Sequence, residues 1–413
     1  MKGNKKKVFN DPVYGFINLH SDRLFEMIMH PYVQRLRRIK QLGLTELVYP
    51  GATHTRFHHG LGAMHLMQIA LNSLRNKQLE ISDEEFEATL IAILLHDVGH
   101  SPFSHALEYT LVPEHSHEYF SQQIIAELAA TFGKPVQLAY DIFTDRYERH
   151  FFHQLVSGQL DIDRLDYLKR DCFYTGVSEG AIGADRIIKM LYVAGDNLVV
   201  EQKGIYSIEN FLYARRLMYW QVYLHKTSIS AERMLVALVN RARVLMNQGA
   251  EVFAGSSLRH LLGGAYRENG VIQPATLLKH YTELDDHDIW YAIKQWVNHE
   301  DVVLSNLSKW LMNRNLFRIR LTSKPATAAQ MEQARKAVMD QMGVNEEEAS
   351  FFYEQGEVSN AAYHDLNEPI RILTKSGQVE VLEQASDLPN FSAMTKIVKK
   401  YYLCWPKGVN LPN

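Results

Sequence analysis

Residues 92–105 read AILLHDVGHSPFSH. An apolar helical run stops at His96 and Asp97, and His100 and His105 follow directly. The run is marked as a helix before it gets there. Ser82 and Glu85 form a capping box, Ile81 and Phe86 a hydrophobic staple, and Phe86, Leu90, Ile93 and Leu94 recur at helical spacing. Gly99 and Pro102 break the pattern, so the helix should end near Asp97. On a regular helix successive side chains diverge by about 100°. His96 and Asp97 therefore converge on one point only where the helix unwinds. An imidazole nitrogen beside a carboxylate oxygen suits a first-row transition metal, or Mg²⁺ or Mn²⁺ with water completing the shell. Taken alone, the pair is more simply a polar helix terminus.

Two further segments change that balance. The stretch 53–62, THTRFHHGLG, places His59 at the start of another helical pattern, and 160–171, LDIDRLDYLKRD, carries Asp161, Asp163, Asp166 and Asp171 at helical spacing. Asp163, Tyr167 and Asp171 fall at i, i+4 and i+8 and share one helix face. The bland alternative is a solvated acidic face, because burying unpaired carboxylates is costly.

Composition sets the background. The chain has 413 residues, 46% of them hydrophobic and 22% charged, with a formal net charge of −3. Such a balance gives no global basic field for nucleic acid or an anionic membrane. Two cysteines, Cys172 and Cys404, argue against a disulfide scaffold and are compatible with a reducing compartment. The basic start MKGNKKKVFNDP runs into Asn, Asp and Pro instead of an apolar stretch, and so does not read as a secretory signal. No run approaches the ~18 apolar residues of a spanning helix. A cytoplasmic globular protein is expected.

The pattern is mainly helical from Ser21 to about residue 300, including 21–43, SDRLFEMIMHPYVQRLRRIKQLG, which stops at Gly43. Beyond about residue 312 the character changes. LFRIRLT alternates like a strand, AAQMEQARKAVMDQMG reads as a helix closed by Gly343, IRILTKSGQVEVLE as a hairpin turning at Ser376–Gly377, and IVKKYYLCW as a last strand. The expected fold is mainly α, a helical body over 1–310 with a small C-terminal α+β lobe over 311–413.

The order His … His-Asp … Asp is that of the HD superfamily of metal-dependent phosphohydrolases. More closely, the chain resembles the deoxynucleoside-triphosphate triphosphohydrolases of that superfamily. The resemblance runs from Lys7 to about Lys226 and more thinly to about Arg318. It is carried by NDPVYGFINLH, QRLRRIKQLG, PGATHTRFHHGLG, HDVGHSPFSH, the HE at 117–118, DIDRLDYLKRDC and the YLHK at 223–226. No counterpart of the SAM domain of animal members is expected ahead of the match.

The resemblance implies an HD-domain helical body and assigns roles by position. His59, His96, Asp97 and Asp163 match the metal ligands, for a divalent ion whose identity (Mn, Mg, Fe, Ni or Zn) stays open. Two imidazoles and two carboxylates leave positions for water and a phosphate oxygen. His105 matches the acid that protonates the departing 5′ oxygen, with Glu108 orienting it and His117 completing the group. Arg56 and His100 match phosphate contacts, and Arg164, Arg215 and Lys226 would neutralise a triphosphate tail. Gln41 and Asp171 match groups that hold the 3′-hydroxyl, and Tyr167 is counted among the substrate-binding residues. Leu42 and Tyr223 match the pair that walls the 2′ carbon and so rejects ribonucleotides.

Asn10, Gln34, Arg37, Arg186 and Arg314 fit parts of the effector site found between subunits in animal members, so a dimer or tetramer is expected. Met29 stands where those members carry the aspartate that reads guanine, and Glu201 lies near a position held there by arginine. Both departures argue against guanine-specific activation. The expected activity is hydrolysis of a dNTP to deoxynucleoside and inorganic triphosphate. Two alternatives stay open: the same metal site acting on another phosphoester, and a nucleotide-binding regulator without catalysis. Nucleic acid and membrane partners are not expected.

Overall fold

The computed structural model describes residues 7–360, 369–388 and 397–411. A short hairpin, β1 (Val8–Asp11) and β2 (Gly15–Asn18), precedes the helical body. Asp11 Oδ1 accepts hydrogen bonds from Val13 N at 2.9 Å and Tyr14 N at 3.0 Å and so closes the turn. The predicted helical stretch over 21–43 is broken into Asp22–Met29, Pro31–Arg35 and the single turn Leu36–Arg38. Pro31 has no N–H with which to continue the first helix, and His30, in extended backbone, caps the second through Nδ1, which accepts from Tyr32 N at 3.3 Å.

Helix α1 (Arg56–Asn76) and helix α2 (Asp83–Leu95) pack against one another at the centre of the first core. Ser82 and Glu85 make the expected capping box: Glu85 N donates to Ser82 Oγ at 3.1 Å and Ser82 N to Glu85 Oε2 at 2.7 Å. Every residue from Ala88 to Leu95 is buried. The helix is therefore rigidly fixed where it delivers His96 and Asp97. The same core takes in residues of α3 (His117–Phe132), α4 (Ile162–Thr175) and α5 (Ile205–Met218). The helix α6 (Lys226–Asn247) belongs to a second core, which includes Leu235, Trp296, Leu304 and Trp405.

The segments after residue 311 serve both cores. Arg371–Leu373 and Val379–Val381 form a hairpin with Gly377 at φ +83°, and the first of these pairs in parallel with Asn197–Glu201 on the first core. Val398–Trp405 runs antiparallel between Arg318–Thr322 and Glu354–Asn360 on the second. The helix Ala328–Met342 ends at Gly343, φ +68°. Among the described residues no helix is long and apolar enough to cross a membrane.

Candidate active site

The helix α2 ends at Leu95, so His96 and Asp97 lie in the unwinding turn. Gly99 follows because nothing larger fits: a Cβ there would sit 2.2 Å from Ser121 N and 2.3 Å from His117 O. Gly99 N donates to Ser121 Oγ at 3.0 Å, and that hydroxyl donates to His96 O at 2.8 Å, pinning the turn to α3. The next segment is strained. Phe103 and Ser104 both have left-handed backbone, φ 57° and 54°, and Phe103 N donates to the buried Asp286 at 2.7 Å. Asp286 also accepts from Lys40 N at 2.9 Å, so one carboxylate tethers the histidine loop and the Gln41–Leu42 loop.

Four side chains meet at the end of α2. His59 Nε2 lies 3.3 Å from His96 Nε2 and 2.9 Å from Asp163 Oδ1, and His96 Nε2 lies 3.3 Å from Asp163 Oδ1 and 3.4 Å from Asp97 Oδ1. Donors held at about 2.0–2.2 Å from one ion fall at about these mutual separations. The tautomers also fit. His59 Nδ1 faces Asp166 Oδ2 at 2.7 Å and His96 Nδ1 faces Ile93 O at 2.7 Å, leaving both Nε2 atoms turned inward. Electrostatics agree with a cation there. Burial alone would depress His59, but hydrogen bonds to Asp163 and Asp166 raise it to about 10. Asp97 and Asp163 are held well below the usual carboxylate range against the effect of burial, Asp97 by the positively charged groups around it and Asp163 by His96 and His59.

Beside this centre stands a histidine cluster. His105 Nδ1 is 3.1 Å from Glu108 Oε2, and His117 approaches Glu108 Oε1 through Nδ1 at 2.6 Å and through its backbone N–H at 2.7 Å. His100 stacks on His117 and is buried, with Nδ1 3.3 Å from Asp97 Oδ1. Histidines 100, 105 and 117 lie close enough together to hold an ion themselves.

On the other side, Tyr167 links the parts. Its ring is 6.5 Å from His59 and 6.0 Å from Tyr223. Tyr223 lies in a single π-helical turn, Tyr219–Tyr223, and donates to Asp171 Oδ2 at 2.8 Å. Asp171 Oδ1 is 2.7 Å from the buried His54. Leu42 packs partly buried on the first core. Asp161 is the N-cap of α4: it accepts from Arg164 N at 2.7 Å and pairs with the Arg164 side chain. Arg56 likewise pairs with Asp97 and donates to Ser104 Oγ at 2.9 Å. Buried atoms without a hydrogen-bond partner include Gln41 Oε1, His100 Nε2, Arg164 Nε and Arg215 Nε. Each belongs to a residue expected to touch substrate. Lys226 is exposed at the start of α6, and among the described residues no ion pair ties it to the cluster.

Residues 56–171 match the HD domain, and 182–253 the HD associated region. A crystallised phosphohydrolase from Bacteroides thetaiotaomicron is 48% identical, with a TM-score of 0.92 over 98% of this chain and 100% of that one. The chain belongs to the HD-domain phosphohydrolases. The uncharacterized protein YwfO of Bacillus subtilis is 31% identical over 99% of this chain and 94% of its own length. Human deoxynucleoside triphosphate triphosphohydrolase SAMHD1 is 30% identical over 55% of this chain and 43% of its own.

Of the residues expected for an effector site between subunits, Gln34 and Arg37 touch one another within this phosphohydrolase chain. Gln34 accepts from Arg37 Nε at 2.9 Å, beside the exposed Met29, and the Arg37 guanidinium covers the Phe57 ring at 3.6 Å. Asn10 is exposed on β1. Arg186 donates to Ser207 Oγ and Lys203 O, and Arg314 to Leu47 O, elsewhere on the surface. Glu201 pairs with Lys77 and Lys203. Sequence reasoning gave no role to Asp166, His54, Ser121 or Asp286. Only Asp166 left a signal, at i+3 from Asp163 and i−4 from Arg170.

Proposed function

We propose that this HD-domain phosphohydrolase hydrolyses deoxynucleoside triphosphates to deoxynucleoside and inorganic triphosphate. The observation that carries the reading is a His59–His96–Asp163 group that could hold a metal ion, together with unpaired buried polar atoms, Gln41 Oε1, His100 Nε2, Arg164 Nε and Arg215 Nε, on residues that the resemblance assigns to substrate. His59, His96, Asp97 and Asp163 would hold a divalent ion, Mn, Mg, Fe, Ni or Zn. Such an ion supplies Lewis-acid polarisation of a phosphoryl oxygen and a nucleophile at neutral pH.

The chain's own groups do the rest. His105, two-thirds exposed beside the centre, presents Nε2 to the departing 5′ oxygen, while Nδ1 faces Glu108. Arg164, Arg215 and His100 orient the phosphates, with Arg56 braced against Asp97 behind them. Gln41 and Asp171 hold the 3′-hydroxyl, and Tyr223 with Leu42 closes the space beside the 2′ carbon. Relatives named as dNTP triphosphohydrolases support the substrate class.

One observation favours a less highly charged phosphoester. Arg56 and Arg164 already face Asp97 and Asp161, which lowers the net positive charge available to a triphosphate. A single experiment separates the two. The protein is incubated with each dNTP, each rNTP and simple phosphomonoesters, with Mn²⁺ or Mg²⁺, and both products are resolved by chromatography. Deoxynucleoside and triphosphate in equal amounts are the expected result. Release of orthophosphate, or turnover of monoesters alone, would replace the reading.

A further inference from the structure

We infer that Asp11, on the N-terminal hairpin, is a positioning residue for the metal centre, acting on His59 through Arg170 and Asp166. The inference rests on the reading of His59, His96, Asp97 and Asp163 as metal ligands.

The four residues form one continuous buried chain. Arg170 Nη1 donates to Asp11 Oδ2 at 2.8 Å. On its other side Arg170 donates to Asp166 twice, Nε to Oδ2 at 3.0 Å and Nη2 to Oδ1 at 3.1 Å. Asp166 Oδ2 then meets His59 Nδ1 at 2.7 Å. Asp166, Arg170 and His59 have no exposed surface, and Asp11 has 4%.

The packing around this chain is specific. Gly62 lies on α1 one turn beyond His59, and a Cβ there would stand 2.0 Å from Arg170 Nη2 and 2.1 Å from Asp166 Oδ1. The glycine lets α1 approach α4 closely enough for Asp166 to reach the imidazole. Asp11 has a second task at the other end, since its Oδ1 closes the hairpin turn at Val13 and Tyr14. The hairpin and the metal ligand are thus held by opposite ends of one hydrogen-bonded unit.

The charge order explains why Asp11 matters to an imidazole it does not touch. Arg170 carries one positive charge and is shared between two carboxylates. The chain therefore keeps a net negative charge on the His59 side, which makes Asp166 a strong acceptor and His59 Nε2 a stronger donor to a cation. With Asp11 neutral, Arg170 is balanced by Asp166 alone. The carboxylate then polarises His59 less, and the ring is held less firmly.

The test is Mn²⁺ binding to the full chain, with free Mn²⁺ followed by electron paramagnetic resonance and folding checked by thermal melting. Asp166→Asn should weaken binding by about 10- to 100-fold, the range for partners behind a ligand. Asp11→Asn should weaken it by about 3- to 10-fold, and should add little once Asp166 is already Asn. A merely structural Asp11 would lower the melting temperature in both backgrounds and leave Mn²⁺ affinity unchanged; that result overturns the inference. If Asp11→Asn cannot be isolated folded, Gly62→Ala probes the same link, and wild-type affinity in Gly62→Ala and Asp166→Asn would equally overturn it. Asp163→Ala distinguishes the underlying reading. Wild-type Mn²⁺ binding in that variant would remove the metal centre itself, whatever Asp11 does.

Discussion

The imidazoles of His100 and His117 stack with centroids 3.9 Å apart and planes inclined by 28°. Two imidazolium ions at that distance would repel strongly in a buried setting. The conflict is resolved on the His100 side, where burial and the Arg56 guanidinium keep the ring neutral, well below the usual histidine range. His105 and His117 both face Glu108. His100 is then a neutral ring, with Nε2 as its buried atom without a hydrogen-bond partner.

His105 is the member of this group with an exposed side chain, so its removal should spare the fold. His105→Ala is expected to keep the wild-type metal content and melting temperature while turnover drops by ~10²–10⁴-fold, the usual range for a positioned acid. Metal analysis beside steady-state kinetics checks this. Loss of metal together with activity would make His105 a ligand or a support instead.

Glu108 gives the cluster a pH dependence of known sign. Burial would raise its carboxyl, but hydrogen bonds from His105 and His117 hold it well below the ordinary glutamate value. A depressed folded-state pKa contributes stability above the unfolded value of about 4.3, and that contribution is lost as pH falls through this value towards the folded one. Glu108→Gln should therefore be about 1–3 kcal/mol less stable than wild type at pH 7. The gap should narrow steadily below about pH 4. Urea unfolding of both proteins from pH 7 to pH 3 measures it, and a gap that stays constant would show that the carboxylate charge is not what stabilises the cluster.

What could be read from the sequence was what local rules determine. The capping box at Ser82, the break at Gly99 and the hairpin at Gly377 each depend on a few neighbouring residues, and the structure has all three. Pro31 was passed over because the apolar spacing around it continues at helical period, although its ring interrupts the backbone. The long-range partners were not legible. Asp161 and Asp166 read only as carboxylates on a helical segment, yet one is its cap and the other is buried behind His59. The difference lies in Arg170 and Asp11, and the contact to Asp11 crosses most of the HD domain in sequence. Asp286 is more remote still: its bonds to Lys40 and Phe103 brace two site loops from the second half of the chain.

Assembly is open to a direct measurement. Phe16, Val8 and Met29 are large apolar side chains exposed on the N-terminal hairpin and the helix that follows, close to Asn10 and Gln34. A dimer or tetramer is expected in multi-angle light scattering, and Phe16→Asp should shift it towards monomer. An active wild-type monomer would contradict this.

Sugar discrimination is the most direct test of the substrate. Tyr223 has two separable properties: its ring occupies space beside Tyr167, and its hydroxyl donates to Asp171. In the proposed reading a 2′-hydroxyl would be buried against the ring and Leu42 without a partner. That costs ~1–3 kcal/mol, or about 5- to 150-fold in kcat/KM for ATP relative to dATP. Tyr223→Ala removes the wall and should narrow the ratio, mostly by raising the ribonucleotide rate. Tyr223→Phe keeps the wall but leaves Asp171 with His54 alone. It should slow dATP and ATP alike and leave their ratio unchanged, because Asp171 is assigned to the 3′-hydroxyl that both substrates carry. Initial rates on both nucleotides for the three proteins decide the matter. Equal wild-type rates on dATP and ATP would show that no wall stands beside the 2′ carbon, and a phosphoester other than a deoxynucleotide would then become the better reading.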